Sequence, residues 1–178
     1  LNASFKLSEA VSLTASAEYS YATGRYRFRY RKLFSDGTVA WDTTATRRNG
    51  DISALRLEAG AYGTMSRGTW QAKAYYYDSE RGIPGAIVNN VWKNSQRQWD
   101  KNFFIQGSIQ RQESDRYEWM ASAKYARDHM RYLNPDTTLM YIDNTFRQDE
   151  LYLSTTHKLT LLPGWEAALA ADWVHNYL

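Results

Sequence analysis

No cysteine occurs in this chain, which excludes a disulfide framework and any thiolate metal site. No stretch approaches the roughly 18 consecutive apolar residues of a membrane helix, and mean hydropathy is −0.65. Helical spans are therefore excluded, but a membrane barrel is not, because barrel strands hide their apolarity in alternation. A net charge of +3 does not by itself call for nucleic acid. The three histidines, His129, His157 and His175, lie on separate segments without metal-ligand spacing. Asp128 beside His129 has no serine or cysteine nucleophile in a recognisable motif to serve. The chain opens at Leu1 without a charged region followed by an apolar one. An exported protein would then have lost its signal, or the chain is an internal piece.

Phenylalanine is scarce as well, at six, against fourteen Tyr and seven Trp. Tyr and Trp join an apolar body to a polar tip and suit interfaces, although a soluble β-sandwich could also use them. Their placement is more telling. Trp165, Ala167, Leu169, Ala171 and Trp173 alternate with Glu166, Ala168, Ala170 and Asp172. Tyr117-Trp119-Ala121-Ala123-Tyr125, Val11-Leu13-Ala15-Ala17-Tyr19-Tyr21 and Trp70-Ala72-Ala74-Tyr76 repeat the scheme. A period of two means a strand with one apolar and one polar face. Aromatics closing both ends of the apolar face suit a strand that crosses a bilayer. The eight steps from Trp165 to Trp173 rise about 26 Å at roughly 3.3 Å each. Tilted by about 40°, they span around 20 Å, near the apolar band of a barrel.

The alternation predicts eight strands: Leu1 to Leu7, Val11 to about Ala22, Ile52 to Tyr62, Trp70 to Tyr77, Phe103 to Gln110, Tyr117 to about Arg127, Gln148 to Leu161, and a last strand from Trp165. The connections between them run short, long, short, long, short, long, short. Outer-membrane barrels have short periplasmic turns and long external loops, whereas a Greek-key sandwich has no reason for such regularity. Trp70, Tyr117 and Trp165 follow short turns, while Tyr21, Tyr76, Tyr125 and Trp173 stand toward the long connections. The aromatic phase is odd through Tyr21 and even at Tyr26, Phe28 and Tyr30. The shift predicts a β-bulge at Thr23-Gly24, with an irregular loop as the alternative.

Several segments could carry chemistry. Arg25, Arg27, Arg29 and Arg31 alternate with Tyr26, Phe28 and Tyr30. Such a pattern could stack on single-stranded nucleic acid, meet lipopolysaccharide phosphates, or form a solvated hairpin arm; nucleic acid is the least favoured. Asp136, Asp143 and Asp149 could bind calcium but lack the spacing of a known loop. In Asp78 to Asn90, Gly82, Pro84 and Gly85 impose a particular backbone path, and Ile83, Ala86, Ile87 and Val88 are apolar. This segment folds over a barrel mouth, packs on another loop or packs on itself.

At this segment the chain resembles a TonB-dependent outer-membrane receptor. The matching pieces are Ser79-Glu80-Arg81-Gly82-Ile83-Pro84-Gly85-Ala86 after a strand ending in tyrosines, and Arg97-Gln98-Trp99-Asp100 opening the next. Tyr132-Leu133-Asn134-Pro135-Asp136-Thr137-Thr138 and Glu150-Leu151-Tyr152-Leu153-Ser154 add to it. The resemblance is nearest to receptors for vitamin B12-like ligands. It implies an all-β, antiparallel, up-and-down transmembrane barrel of twenty-two strands, of which residues 1–178 would supply about eight, without the plug domain, the TonB-contacting segment or the closing strand. It also implies an outer-membrane location, no cofactor and no catalysis. The partners it implies are an imported small molecule (a corrinoid or another chelate), TonB acting through the plug, and outer-membrane lipid and lipopolysaccharide. Ligand binding is then expected at inward or loop residues: Tyr75, Tyr77, Arg81, Gly82, Ile83, Pro84, Trp92 and Trp99. The alternatives are a complete eight-stranded barrel acting as anchor or adhesin, and a soluble β-sheet protein that binds sugars.

Overall fold

The computed structural model describes residues 1–86, 94–138 and 140–178. Among the described residues there are ten strands and no helix: β1 (Asn2–Ser8), β2 (Val11–Ala22), β3 (Tyr26–Leu33), β4 (Val39–Arg47), β5 (Ile52–Met65), β6 (Gly68–Ile83), β7 (Gln96–Ser114), β8 (Tyr117–Asn134), β9 (Ile142–Leu162) and β10 (Trp165–Tyr177). Eight form one antiparallel sheet in the order β1-β2-β5-β6-β7-β8-β9-β10, and β3 and β4 form a separate two-stranded arm. The expected count of eight therefore holds for the sheet and fails for the chain. The sheet is open: β1 and β10 are its edges and do not pair with each other, so no closed eight-stranded barrel is present.

Each of the four turns at one end of the sheet has two residues: Glu9-Ala10, Ser66-Arg67, Asp115-Arg116 and Pro163-Gly164. The Pro-Gly order and a φ of 82° at Gly164 suit a type II turn, which needs positive φ at its third residue. Arg67 has a φ of 58°. Registers slip beside three of these turns, at Lys6/Ser8, Gln112/Ser114 and Trp165/Glu166, as bulges near sheet ends do. The long connections all lie at the opposite end.

Register carries the apolar phase from strand to strand without a break. Leu13 pairs with Ala61, Ala61 with Ala72, Ala72 with Gly107, Gly107 with Ala123, Ala123 with Leu153, and Leu153 with Trp173. Paired residues share a face, so every alternating segment turns its apolar side the same way. The face is bare: Ile105 is 51% exposed, Leu169 69% and Trp165 70%. An apolar surface of this extent marks an interaction face.

The aromatics on that face form two lines. Tyr21 of β2, Tyr76 of β6, Tyr125 of β8 and Trp173 of β10 stand on successively lower rungs of the hydrogen-bond ladder. Trp70 of β6, Tyr117 of β8 and Trp165 of β10 descend in the same direction. Trp70 has a second task, because its indole lies where a Cβ on its cross-strand partner Gly63 would sit.

Two expectations need correction. Asp78 to Gln98 is not one long connection: β6 continues to Ile83 and β7 starts at Gln96. Thr23-Gly24 is not a bulge in a continuous strand. The sheet strand stops at Ala22 and β3 pairs with β4. Gly24, at a φ of 57°, lies so close to Gly50 that a Cβ would overlap the Gly50 carbonyl. These two glycines pinch the arm off from the sheet.

Candidate functional site

The opposite face of the sheet is polar. Around Tyr75 its charged residues neutralise one another across strands: Lys73 lies 3.0 Å from Glu58, Arg56 3.3 Å from Glu18, and Lys124 2.9 Å from Glu150. Tyr75 and Phe104, direct cross-strand partners, stack with centroids 5.0 Å apart and planes at 15°. The Lys124 ammonium stands 6.0 Å from the Phe104 centroid, in cation–π range. A cavity of about 270 Å³ on this side is lined by Tyr62, Gln71, Lys73, Gln106, Lys124 and Tyr152, among others. Such a wall can stack on a flat ligand and hydrogen-bond its rim, and it carries little net charge to select by sign.

At the long-connection end, the chain leaving β4 is clamped over the end of β6. The Arg47 guanidinium, 4% exposed, donates 2.7 Å to the Pro84 carbonyl and also to that of Gly85. Asn49, at a φ of 60°, donates its side-chain amide to the Ile83 carbonyl at 3.0 Å and the Gln96 carbonyl at 2.8 Å. The Gly82 amide donates to the Asp51 carbonyl at 2.9 Å. From β7, Arg97 reaches the Asp51 carboxylate at 2.8 Å, and its Nε lies 2.8 Å from Glu80 without hydrogen-bond alignment. The Arg97 hydrogen bond holds the Asp51 carboxyl below the usual carboxylate range, outweighing the opposing effect of burial. Asp51 in turn raises the Arg97 guanidinium.

This clamp gives Arg81-Gly82-Ile83-Pro84-Gly85 a structural account. A Cβ on Gly82 would collide with Asn49, and Gly85 has a φ of 67°, in the left-handed region that favours glycine. Of the expected ligand residues, Tyr75, Tyr77 and Arg81 share the polar face by strand parity, and Arg81 lies 3.2 Å from Asp100. Gly82 points the other way and is buried under Asn49. Ile83 and Pro84 present carbonyls that Asn49 and Arg47 occupy. Trp99 pairs with Glu80 and Arg131 and therefore stands on the opposite face from Tyr75, with the Arg131 guanidinium 5.3 Å from its ring. Trp92 lies outside the described residues, as do Ile87 and Val88. Sequence reasoning missed Phe104, Lys124, Arg47 and Asn49 as site residues. A Phe in the polar phase of β7 was a readable signal for the stack. Nothing local foretold the clamp.

The arm separates its residues by face. Arg27, Arg29 and Arg31 alternate with Tyr26, Phe28 and Tyr30, so β3 is basic on one side and aromatic on the other. Arg29 donates from Nε at 2.7 Å to Asp42, its diagonal neighbour on β4, and this bond draws the Asp42 carboxyl downward. Residues 25–48 carry a surplus of five positive charges where the whole chain has +3. The remaining chemical candidates are engaged elsewhere. Asp128 accepts from the Asn102 amide at 2.6 Å, and alternation turns it away from its neighbour His129. Asp143 pairs with Arg131 at 2.8 Å and Asp149 with Arg127 at 2.7 Å. Among the described residues no group of three His, Asp or Glu is placed to hold a metal ion.

Comparison of the chain with family models and with curated proteins finds no match in either.

Proposed function

We propose that this chain is wall and outer rim of an outer-membrane β-barrel that takes up a small molecule, in the manner of a TonB-dependent receptor. The carrying observation is the pair of aromatic lines bracketing an exposed apolar face. Eight residues separate the lines on both β8 and β10, which is a span of about 26 Å along the strand. On β6 six residues separate them, and a soluble sheet has no reason to bracket its apolar face with aromatics on alternate strands. Two-residue turns at one end and long connections at the other support an orientation with the arm and the clamp outside. In this reading the Tyr75–Phe104 stack and Lys124 face the lumen, where a passing ligand meets them, and the basic arm stands at the entrance. Partner proteins such as TonB, and corrinoid as the ligand class, enter through the resemblance in residues 79–86 and 97–100.

The membrane reading is tested by folding the protein into vesicles whose lipids carry bromine at defined depths. Tryptophan emission is expected to be quenched most by bromines at the two interfacial depths. Quenching no greater than in detergent-free buffer with lipid absent would sink it. The uptake reading is tested in cells that depend on this protein for labelled cyanocobalamin. Accumulation is expected to require TonB and to fall when Phe104 is changed to Ala. Accumulation that ignores both changes would overturn it.

A further inference from the structure

Above the upper aromatic line, the outward face carries a row of bases. Lys101 of β7 pairs with His129 of β8, and His129 with Arg147 of β9. The only carboxylate in this row is Asp78 of β6, opposite Lys101 and 3.4 Å from it. Arg147 forms no ion pair among the described residues. The His129 Nδ1 is buried without a hydrogen-bond partner, a costly state for a polar nitrogen. One rung below, Arg127 is already matched by Asp149. A cavity of about 550 Å³ opens here, and Tyr76, Phe103 and Tyr177 line it beside Lys101, His129 and Arg147.

Basic residues set side by side on adjacent strands repel when charged, and an anion between them removes the penalty. An arginine and a lysine around a pocket with aromatic walls match an anionic group attached to an apolar body. The position is decisive for the source of that anion. The apolar face below the row is the one read as facing lipid, and the row lies on the long-connection side of Tyr76 and Tyr125. We infer that Lys101, His129 and Arg147 form a seat for the phosphate of a lipid headgroup, which fixes one phosphorylated lipid of the outer leaflet against β7–β9. This inference rests on the membrane-wall reading. It adds a lipid site on the outer surface, remote from the lumenal ligand wall.

The test uses the protein folded into phosphatidylcholine nanodiscs doped with lipid A. Native mass spectrometry after detergent release counts the lipid A retained. Wild type is expected to retain one molecule. Arg147→Gln combined with Lys101→Gln is expected to lower retention roughly tenfold, while Arg147→Lys keeps most of it. Dephosphorylated lipid A should be lost, and inorganic phosphate in solution should not displace the lipid, which separates a headgroup from a free anion. Equal retention of dephosphorylated lipid A, or full retention by the double variant, would overturn the site. Displacement by inorganic phosphate alone would show a free-anion site and also overturn it. Bromolipid quenching measured on the same samples keeps the two failures apart. Quenched samples that hold no phosphorylated lipid refute the seat alone, and unquenched samples refute the membrane reading on which it depends.

Discussion

Trp165, Leu169 and Trp173 stand bare on one side of the sheet, while on the other side Arg56, Lys73 and Lys124 each lie within 3.3 Å of a carboxylate. The two faces are made by the same strands and differ only in residue parity. The first is apolar between its aromatic lines apart from Thr155 and His157 of β9. The other is internally neutralised and still exposes hydroxyls, amides and two stacked rings. On the proposed membrane reading, the first face holds the protein in place and the second meets solutes.

The largest test of this contrast places a charge at the middle of each face. Leu169→Arg is expected to destabilise vesicle-folded protein by about 2–4 kcal/mol, the cost of a cation near a bilayer midplane. The same change at the adjacent Ala170 should cost less than about 1 kcal/mol, because its side chain meets water. Urea unfolding midpoints in vesicles would measure both, and equal costs would erase the distinction between faces.

The clamp at the rim comes next. Gly82→Ala drives a Cβ into Asn49 and should cost about 0.5–3 kcal/mol, the usual range for a destabilising substitution. It should also raise hydrogen exchange at the Gly82 amide, which the Asp51 carbonyl protects. Unchanged exchange would mean that the rim is not held by this contact. On the polar face, a double-mutant cycle of Tyr75→Ala and Phe104→Ala should give a coupling of about 0.5–1.5 kcal/mol for the stacked pair. Zero coupling would mean that the rings are merely adjacent.

The smallest expected effect is acid loosening of the rim. Because Asp51 titrates below its ordinary value through its bond to Arg97, the unfolded chain binds its proton more readily than the folded one. Its contribution is therefore complete above the ordinary aspartate pKa of about 3.9 and is lost as pH falls through the lower folded value. Gly82 amide protection should hold between neutral pH and about pH 4 and decline below. Asp51→Asn should remove that acid step.

How much of this was legible follows from where alternation separates polar from apolar. The limits of β2, Val11–Ala22, are those the alternation predicts, because Ser and Glu fill one phase and apolar residues the other. The outer ends of β6 to β9 are not legible, since Arg97-Gln98-Trp99-Asp100 and Asp128-His129-Met130-Arg131 are mixed on both faces. Where a strand loses the contrast between its two faces, alternation no longer reveals it. Trp99 was nonetheless readable: it shares the odd phase of Phe103 and Ile105, which assigns it to their face. The arm's detachment depends on Gly24 meeting Gly50, and the clamp on Asn49 meeting Gly82. Both are encounters between residues distant in the chain, which no local pattern encodes.

The absence of cysteine makes the most direct test simple. Single cysteines at positions 119 to 125 of β8 can each carry a spin label in vesicle-folded protein, with accessibility to oxygen and to a water-soluble nickel chelate measured by electron paramagnetic resonance. The account expects a period of two, with positions 119, 121, 123 and 125 favouring oxygen and positions 120, 122 and 124 favouring the chelate. A flat profile, or one with the phases reversed, would contradict the claim that the odd face of this sheet lies against lipid.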